Sequence, residues 1–179
     1  SQQFDSIRYP DPRAMIDSLH QDYHMHFMIS VWPKFYTGIP VFKSFWDKGW
    51  LYKKNVEDGQ KDWVGYVSTF YDAFNPEARR AFWDLVDKRL FSLGVDAWWL
   101  DASEPDILSN TTIAAKKALM NPTALGPSTQ YFNAYPLVNA GTFYLGQRSQ
   151  SPDQRVFILT RSAFAGSQRY AAATWSGDI

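Results

Sequence analysis

Three short, largely apolar runs separated by helix-like segments constrain this chain more than any other feature. His26-Phe27-Met28-Ile29-Ser30-Val31-Trp32 is stopped by Pro33. Val95-Asp96-Ala97-Trp98-Trp99-Leu100 ends at Asp101, and Val156-Phe157-Ile158-Leu159-Thr160 ends at Arg161. Runs this short and continuous read as strands buried on both faces, the kind found in parallel sheets covered by helices. A fourth stretch, Ala171 to Trp175, leads to Ser176-Gly177-Asp178-Ile179, where the chain stops.

The intervening segments carry helix signals. Asp11-Pro12 caps and opens a helix through Met15, Ile16 and Leu19. Asn75-Pro76 repeats that signal; Ala78, Phe82, Leu85, Val86, Leu90 and Leu93 follow at helical spacing, and Gly94 ends the helix. Residues 36–74 read as loop-rich, and 102–127 as an irregular insertion with a short helix near Thr112–Leu119. A longer helical stretch from Thr129 to Gln147 contains Pro136, which predicts a kink or a break there.

Alternation of this kind predicts an α/β protein with a parallel sheet. Four strands cannot close an eight-stranded barrel, which usually needs about 250 residues. The chain is therefore either an open α/β sheet or part of a (β/α)8 TIM barrel. A strand carrying an acid at Asp178, with no loop or helix after it, favours the barrel.

Charge excludes several partners. Lys plus Arg and Asp plus Glu number 18 each, so the net charge is zero. No basic field draws in nucleic acid or an anionic membrane surface. No apolar run reaches the length of a membrane span, and Ser1-Gln2-Gln3 does not open a signal peptide. The lack of cysteine removes disulfides, thiolate nucleophiles and zinc clusters, and fits periplasmic, extracellular and cytoplasmic settings alike. The 8 Trp, 10 Tyr and 13 Phe fill cores, and such rings also serve as platforms for the C–H faces of sugars.

Three charged residues, Asp101, Arg161 and Asp178, stand where strands end. In (β/α) folds the groups that do chemistry come from the C-terminal strand ends. One charge there is equally well a helix cap or a structural ion pair; three in one chain point to a site. Two aspartates are what glycoside hydrolysis requires, one attacking the anomeric carbon and one protonating the leaving oxygen. Arg161 offers a rigid fork for sugar hydroxyls and a charge that keeps a nearby carboxylate ionised. No histidine or further acid lies near either aspartate at metal-ligand spacing, so no metal or other cofactor is expected. His20, His24 and His26 lie early in the chain and read as structural.

Trp98-Trp99-Leu100-Asp101-Ala102-Ser103-Glu104-Pro105 resembles the nucleophile signature of glycoside hydrolase family 31, W-x-D-M-N-E-P. Ala102 and Ser103 replace the usual Met-Asn, a departure that resembles the α-xylosidase branch. Trp175-Ser176-Gly177-Asp178 resembles the family's acid/base segment. Arg161-Ser162-Ala163, followed by Gly166 and Gln168, resembles its arginine segment, and the Ser-Val-Trp-Pro-Lys-Phe core of His26 to Phe35 its third-strand region. The segments follow one another in the family's order through nearly the whole chain.

The resemblance implies a retaining α-glycosidase, most simply an α-xylosidase acting on xyloglucan-type oligosaccharides, with Asp101 as nucleophile and Asp178 as acid/base. Retaining enzymes set these two carboxyl groups roughly 5–5.5 Å apart. Arg161 would bind the sugar, with Trp175 packed against it. Trp32 and Trp99 would line the pocket from neighbouring strand ends, and Trp63 would reach it from a loop. Glu104 would orient the strand-end turn. For each tryptophan taken singly, core packing is an equally open reading.

Residues 1–179 would then be about the third to sixth strands of the barrel, without the family's N-terminal β-sandwich and C-terminal β-domains. Such a piece alone is expected to be inactive, with sheet edges exposed at both ends. The alternatives left open are an α-glucosidase or α-galactosidase-like relative, and a non-catalytic carbohydrate-binding relative. A nucleotide-binding sheet is disfavoured because no Gly-rich phosphate loop follows any strand.

Overall fold

A computed structural model describes residues 2–175. The strands are β1 (Met28–Val31), β2 (Lys34–Tyr36), β3 (Ser68–Phe70), β4 (Ala97–Leu100), β5 (Ile158–Thr160) and β6 (Ala172–Thr174). The helices are α1 (Pro12–Gln21), α2 (Pro40–Asp47), α3 (Lys54–Glu57), α4 (Pro76–Arg89), α5 (Ile113–Leu119), α6 (Ser128–Tyr131) and α7 (Tyr135–Gln150).

Among the described residues β1, β4, β5 and β6 form one parallel sheet, in that order. Successive strands in the chain are neighbours in space, and the order never reverses. A doubly wound sheet reverses at its switch point, whereas a barrel adds each strand beside the last. The topology thus chooses between the two architectures left open above: the chain is a sector of a barrel.

The helix signals act locally as the residue chemistry requires. The Asp11 carboxylate accepts from Ala14 N at 2.9 Å at the start of α1. Asn75 caps α4 by accepting from Glu77 N and Ala78 N at 2.8 and 3.2 Å. This helix ends at Arg89; a 3-10 turn over Phe91–Leu93 then leads to Gly94 at φ +103°. A Cβ on Gly94 would lie 3.0 Å from Ile16 Cγ2, so α1 docks where that side chain is missing. The stretch 129–147 breaks, as Pro136 demands: α6 and a 3-10 turn precede α7, and the proline sits in the first turn of α7, where its missing N–H costs nothing.

Helices α4 and α7 cover one face of the sheet. The fully buried Trp98 of β4 packs against Trp83 of α4 and Phe143 of α7, with ring centroids 6.0 and 5.3 Å away. Its Nε1 donates to Gln147 Oε1 at 2.8 Å, which satisfies a polar atom in an apolar layer. Gly146 admits the Trp83 ring to α7: a Cβ there would stand 2.2 Å from Trp83 Cδ2.

Two expectations need correction. The runs were expected to be buried on both faces, but burial alternates along them. Trp98 and Leu100 are fully buried, while Trp99 between them is 38% exposed; on β1, Met28 is 39% exposed and Val31 is buried. The helix layer covers alternate residues, and their neighbours line the opposite face, which no described element covers. Residues 36–74, expected to be loop-rich, hold α2, α3 and β3, which pairs antiparallel with β2 at their start, Lys34 opposite Phe70 and Tyr36 opposite Ser68. Their strands are only three residues long, too short for a periodic signal. No described helix is long and apolar enough to cross a membrane.

Candidate active site

The paired rows of the parallel sheet run Val31–Leu100–Thr160–Thr174 from strand to strand. One residue further on, at the C-terminal ends, the corresponding positions are Trp32, Asp101, Arg161 and Trp175. Arg161 N donates to Leu100 O at 3.1 Å and Trp175 N to Thr160 O at 3.4 Å, so the register carries on to these residues. Four of the seven residues singled out in the sequence therefore stand in a single line across the mouth of the barrel sector. Asp178 lies outside the described residues.

Asp101 is buried, 9% exposed, and its Oδ1 accepts from Ala102 N at 2.9 Å. Arg161 Nη1 approaches the same oxygen at 3.3 Å. The guanidinium also grips Glu104 with both edges of its fork, Nε to Oε2 at 3.2 Å and Nη2 to Oε1 at 2.5 Å. Asp106 stands 3.7 Å from Nη2, and it is held in turn by Lys116 Nζ at 2.7 Å and Ser109 Oγ at 2.6 Å. Three carboxylates thus share two cations at the ends of β4 and β5. Burial works against the charged guanidinium, but its bond to Glu104 and the charges of Glu104, Asp101 and Asp106 outweigh that, and Arg161 is held above its ordinary pKa. Burial likewise opposes ionisation of Asp106, but Lys116 and Ser109 overcome it and lower its pKa.

The turn after Asp101 is fixed by contacts that the sequence does not reveal. Ala102, fully buried, adopts φ +58°, a left-handed conformation unfavourable for a residue with a Cβ. Ser103 Oγ meets Thr160 Oγ1 at 2.9 Å and Ser162 Oγ at 3.1 Å, which ties the turn to β5. Glu104, expected to orient the turn, does so through Arg161. Asp106 and Lys116 were missed because their meeting depends on how the insertion folds back, which spacing does not encode.

The tryptophans separate by exposure. Trp99 and Trp175 meet edge to face with centroids 5.8 Å apart, both on the open side. Trp32 and Trp63 line one cavity of about 320 Å³ together with Ser30, Lys34 and Tyr36. Trp63 is 71% exposed, on the surface formed by the described residues. Two of the three early histidines lie at the opposite end of the sheet: His20 Nε2 and His26 Nδ1 face Asp96 at 2.8 and 3.4 Å.

A parallel sheet ordered as in a barrel, with acids, an arginine fork and aromatic rings at its C-terminal strand ends, marks a sector of a (β/α)8 domain with a candidate active site at its mouth. The profile of the glycosyl hydrolases family 31 TIM-barrel domain matches residues 1–179. The chain belongs to glycoside hydrolase family 31. An α-xylosidase of Saccharolobus solfataricus is 38% identical over 98% of this chain and 22% of its own length. The crystal structure of an α-xylosidase from Xanthomonas citri superposes with a TM-score of 0.94 at 47% identity, over the whole of this chain and 20% of that one. An α-glucosidase of Saccharolobus solfataricus is 29% identical over 96% of this chain and 27% of its length. The chain spans about a fifth to a quarter of the length of these relatives.

Proposed function

We propose that residues 1–179 form the central part of the catalytic domain of a retaining α-glycoside hydrolase that releases α-linked xylose from xyloglucan-type oligosaccharides. The observation that carries this reading is the placement of Asp101 against Arg161 in one row with Trp32 and Trp175. The guanidinium 3.3 Å away and the Ala102 N–H both engage Oδ1, which fixes the orientation of a carboxylate that is to attack as a nucleophile.

In the proposed cycle the Asp101 carboxylate forms an ester bond to the anomeric carbon as the glycosidic C–O bond breaks. Asp178 gives its proton to the departing oxygen. Water then attacks the same carbon, Asp178 takes back a proton, and the Asp101 ester is released with net retention. Asp178 must hold its proton while Asp101 remains charged, the division of labour that paired carboxylates achieve through unequal environments. Arg161 and the rings of Trp32, Trp63, Trp99 and Trp175 hold the sugar.

The xylose assignment is supported by Ala102-Ser103 in the signature and by the α-xylosidases among the relatives. The presence of α-glucosidases in the same family makes glucose the second reading. Comparing aryl α-xyloside with aryl α-glucoside hydrolysis by the full-length protein decides between them. Asp101→Ala and Asp178→Ala should each lose activity by several orders of magnitude. Preference for the glucoside would overturn the substrate, and turnover by Asp101→Ala would overturn the mechanism.

A further inference from the structure

Trp63 sits on a turn whose shape is dictated by one buried carboxylate. Asp62 N donates to Tyr66 O at 3.0 Å and Gly65 N to Asp62 O at 2.9 Å, while Lys61 bridges Val67 at the base. Asp62 Oδ1 accepts from Val64 N at 3.0 Å and from Tyr66 N at 3.4 Å, so it satisfies donors on both sides of the turn. Its Oδ2 faces inward and accepts from Lys34 Nζ at 3.1 Å and Tyr36 OH at 2.9 Å. The side chains of Lys34 and Asp62 are 1% and 0% exposed. The three residues after Asp62 that are large, Trp63, Val64 and Tyr66, are 71%, 45% and 64% exposed.

A buried ion pair under an exposed aromatic tip is a poor way to gain stability, since desolvating two charges costs about as much as their attraction returns. Such a pair does fix register. Lys34 lies two residues beyond Trp32, and its ammonium stands 5.3 Å from the Trp32 ring and 5.8 Å from that of Tyr36. One ion pair therefore ties the strand end that carries Trp32 to the turn that carries Trp63, and the two indoles line the same cavity. Burial raises the cost of ionising Asp62, but its bonds from Lys34 and Tyr36 prevail and hold its pKa below the ordinary value.

We infer that Lys34 and Asp62 are positioning residues that hold the Trp63 indole in place against Trp32 and so set how tightly the sugar is bound. This rests on reading Trp63 as a sugar contact. The pair touches no substrate; it acts through the turn, and pre-organising a binding side chain is paid in affinity when lost.

A double-mutant cycle in the full-length protein tests the inference. Asp62→Asn and Trp63→Ala should each lower kcat/KM for an aryl α-xyloside by about tenfold, mostly through KM. The double variant should be no worse than Trp63→Ala alone, because the pair works only through that ring. Tyr36→Phe, a milder change that removes one bond to Asp62, should raise KM by about threefold, an effect likewise lost in the Trp63→Ala background. Fully additive losses would overturn the inference. So would unchanged amide hydrogen exchange at Val64 and Tyr66 in Asp62→Asn, a readout independent of any sugar. If exchange there accelerates but Trp63→Ala leaves kcat/KM intact, the role of Trp63 as a sugar contact falls, and with it the effect on binding.

Discussion

Arg161 Nη1 lies 3.3 Å from Asp101 Oδ1, across the seam between β4 and β5. The arginine reaches that position with its fork already engaged by Glu104, so the carboxylate that faces the barrel mouth sees a cation whose orientation is set by its neighbours. A lysine at this position would bring charge without a fork and would satisfy only one of the two acids.

Glu104→Gln should therefore impair catalysis although Glu104 is not expected to touch the sugar. The amide turns a donor toward the guanidinium where an acceptor was, and Arg161 loses a charged, two-point partner. We expect kcat/KM of the full-length protein to fall by about 10- to 100-fold with unchanged far-UV circular dichroism. Wild-type turnover in this variant would mean that Arg161 holds its place without Glu104.

Acid should selectively remove the contribution of Asp106. Its carboxyl is held below the ordinary 3.8. A lowered folded-state value stabilises the fold above the unfolded-state pKa, and that stabilisation disappears as pH falls through the folded value. Urea unfolding should thus find Asp106→Asn less stable than the native protein at neutral pH. The gap should close progressively below about pH 3.8. A gap that persists unchanged in acid would show that charge is not what Asp106 contributes.

Gly146→Ala should damage the fold far more than its one methyl group suggests. The added Cβ would stand 2.2–2.6 Å from three atoms of the Trp83 ring, so α7 must move off α4. We expect a loss of about 1–3 kcal/mol or more in chemical denaturation. Adding Trp83→Leu to the variant should recover part of it; no recovery would place the strain elsewhere.

Trp98→Phe keeps a large apolar ring but removes the only polar atom of that side chain. Gln147, fully buried, would be left with an unanswered carbonyl oxygen. A cost of about 1–3 kcal/mol is expected in urea unfolding. Trp98→Phe with Gln147→Leu should be milder than Trp98→Phe alone, and a harsher double variant would refute the hydrogen bond's role.

Much of the fold was legible because the information was local. Asp11, Asn75 and Thr112 cap the helices they precede, and Pro136 separates α6 from α7 as a residue without an N–H must. The apolar runs marked the strands, and the polar residues closing them, Asp101 and Arg161, were found in contact. Burial on one face only could not be read from the runs, since Trp98 and Trp99 are chemically alike and differ only in which side of β4 each occupies.

Sequence alone, then, determined the alternation of elements, the charged residues Asp101 and Arg161 at the strand ends and the family signature, because capping, turn formation and apolar periodicity act between residues close in the chain. Tertiary structure decided the rest. It ordered the strands as a barrel sector, gave Arg161 its partners Glu104 and Asp106, and set Lys34 under the Trp63 turn. Those pairings join residues 28 to 57 positions apart. Their geometry follows from sheet register and from how the insertions fold back, which no local pattern of residues records.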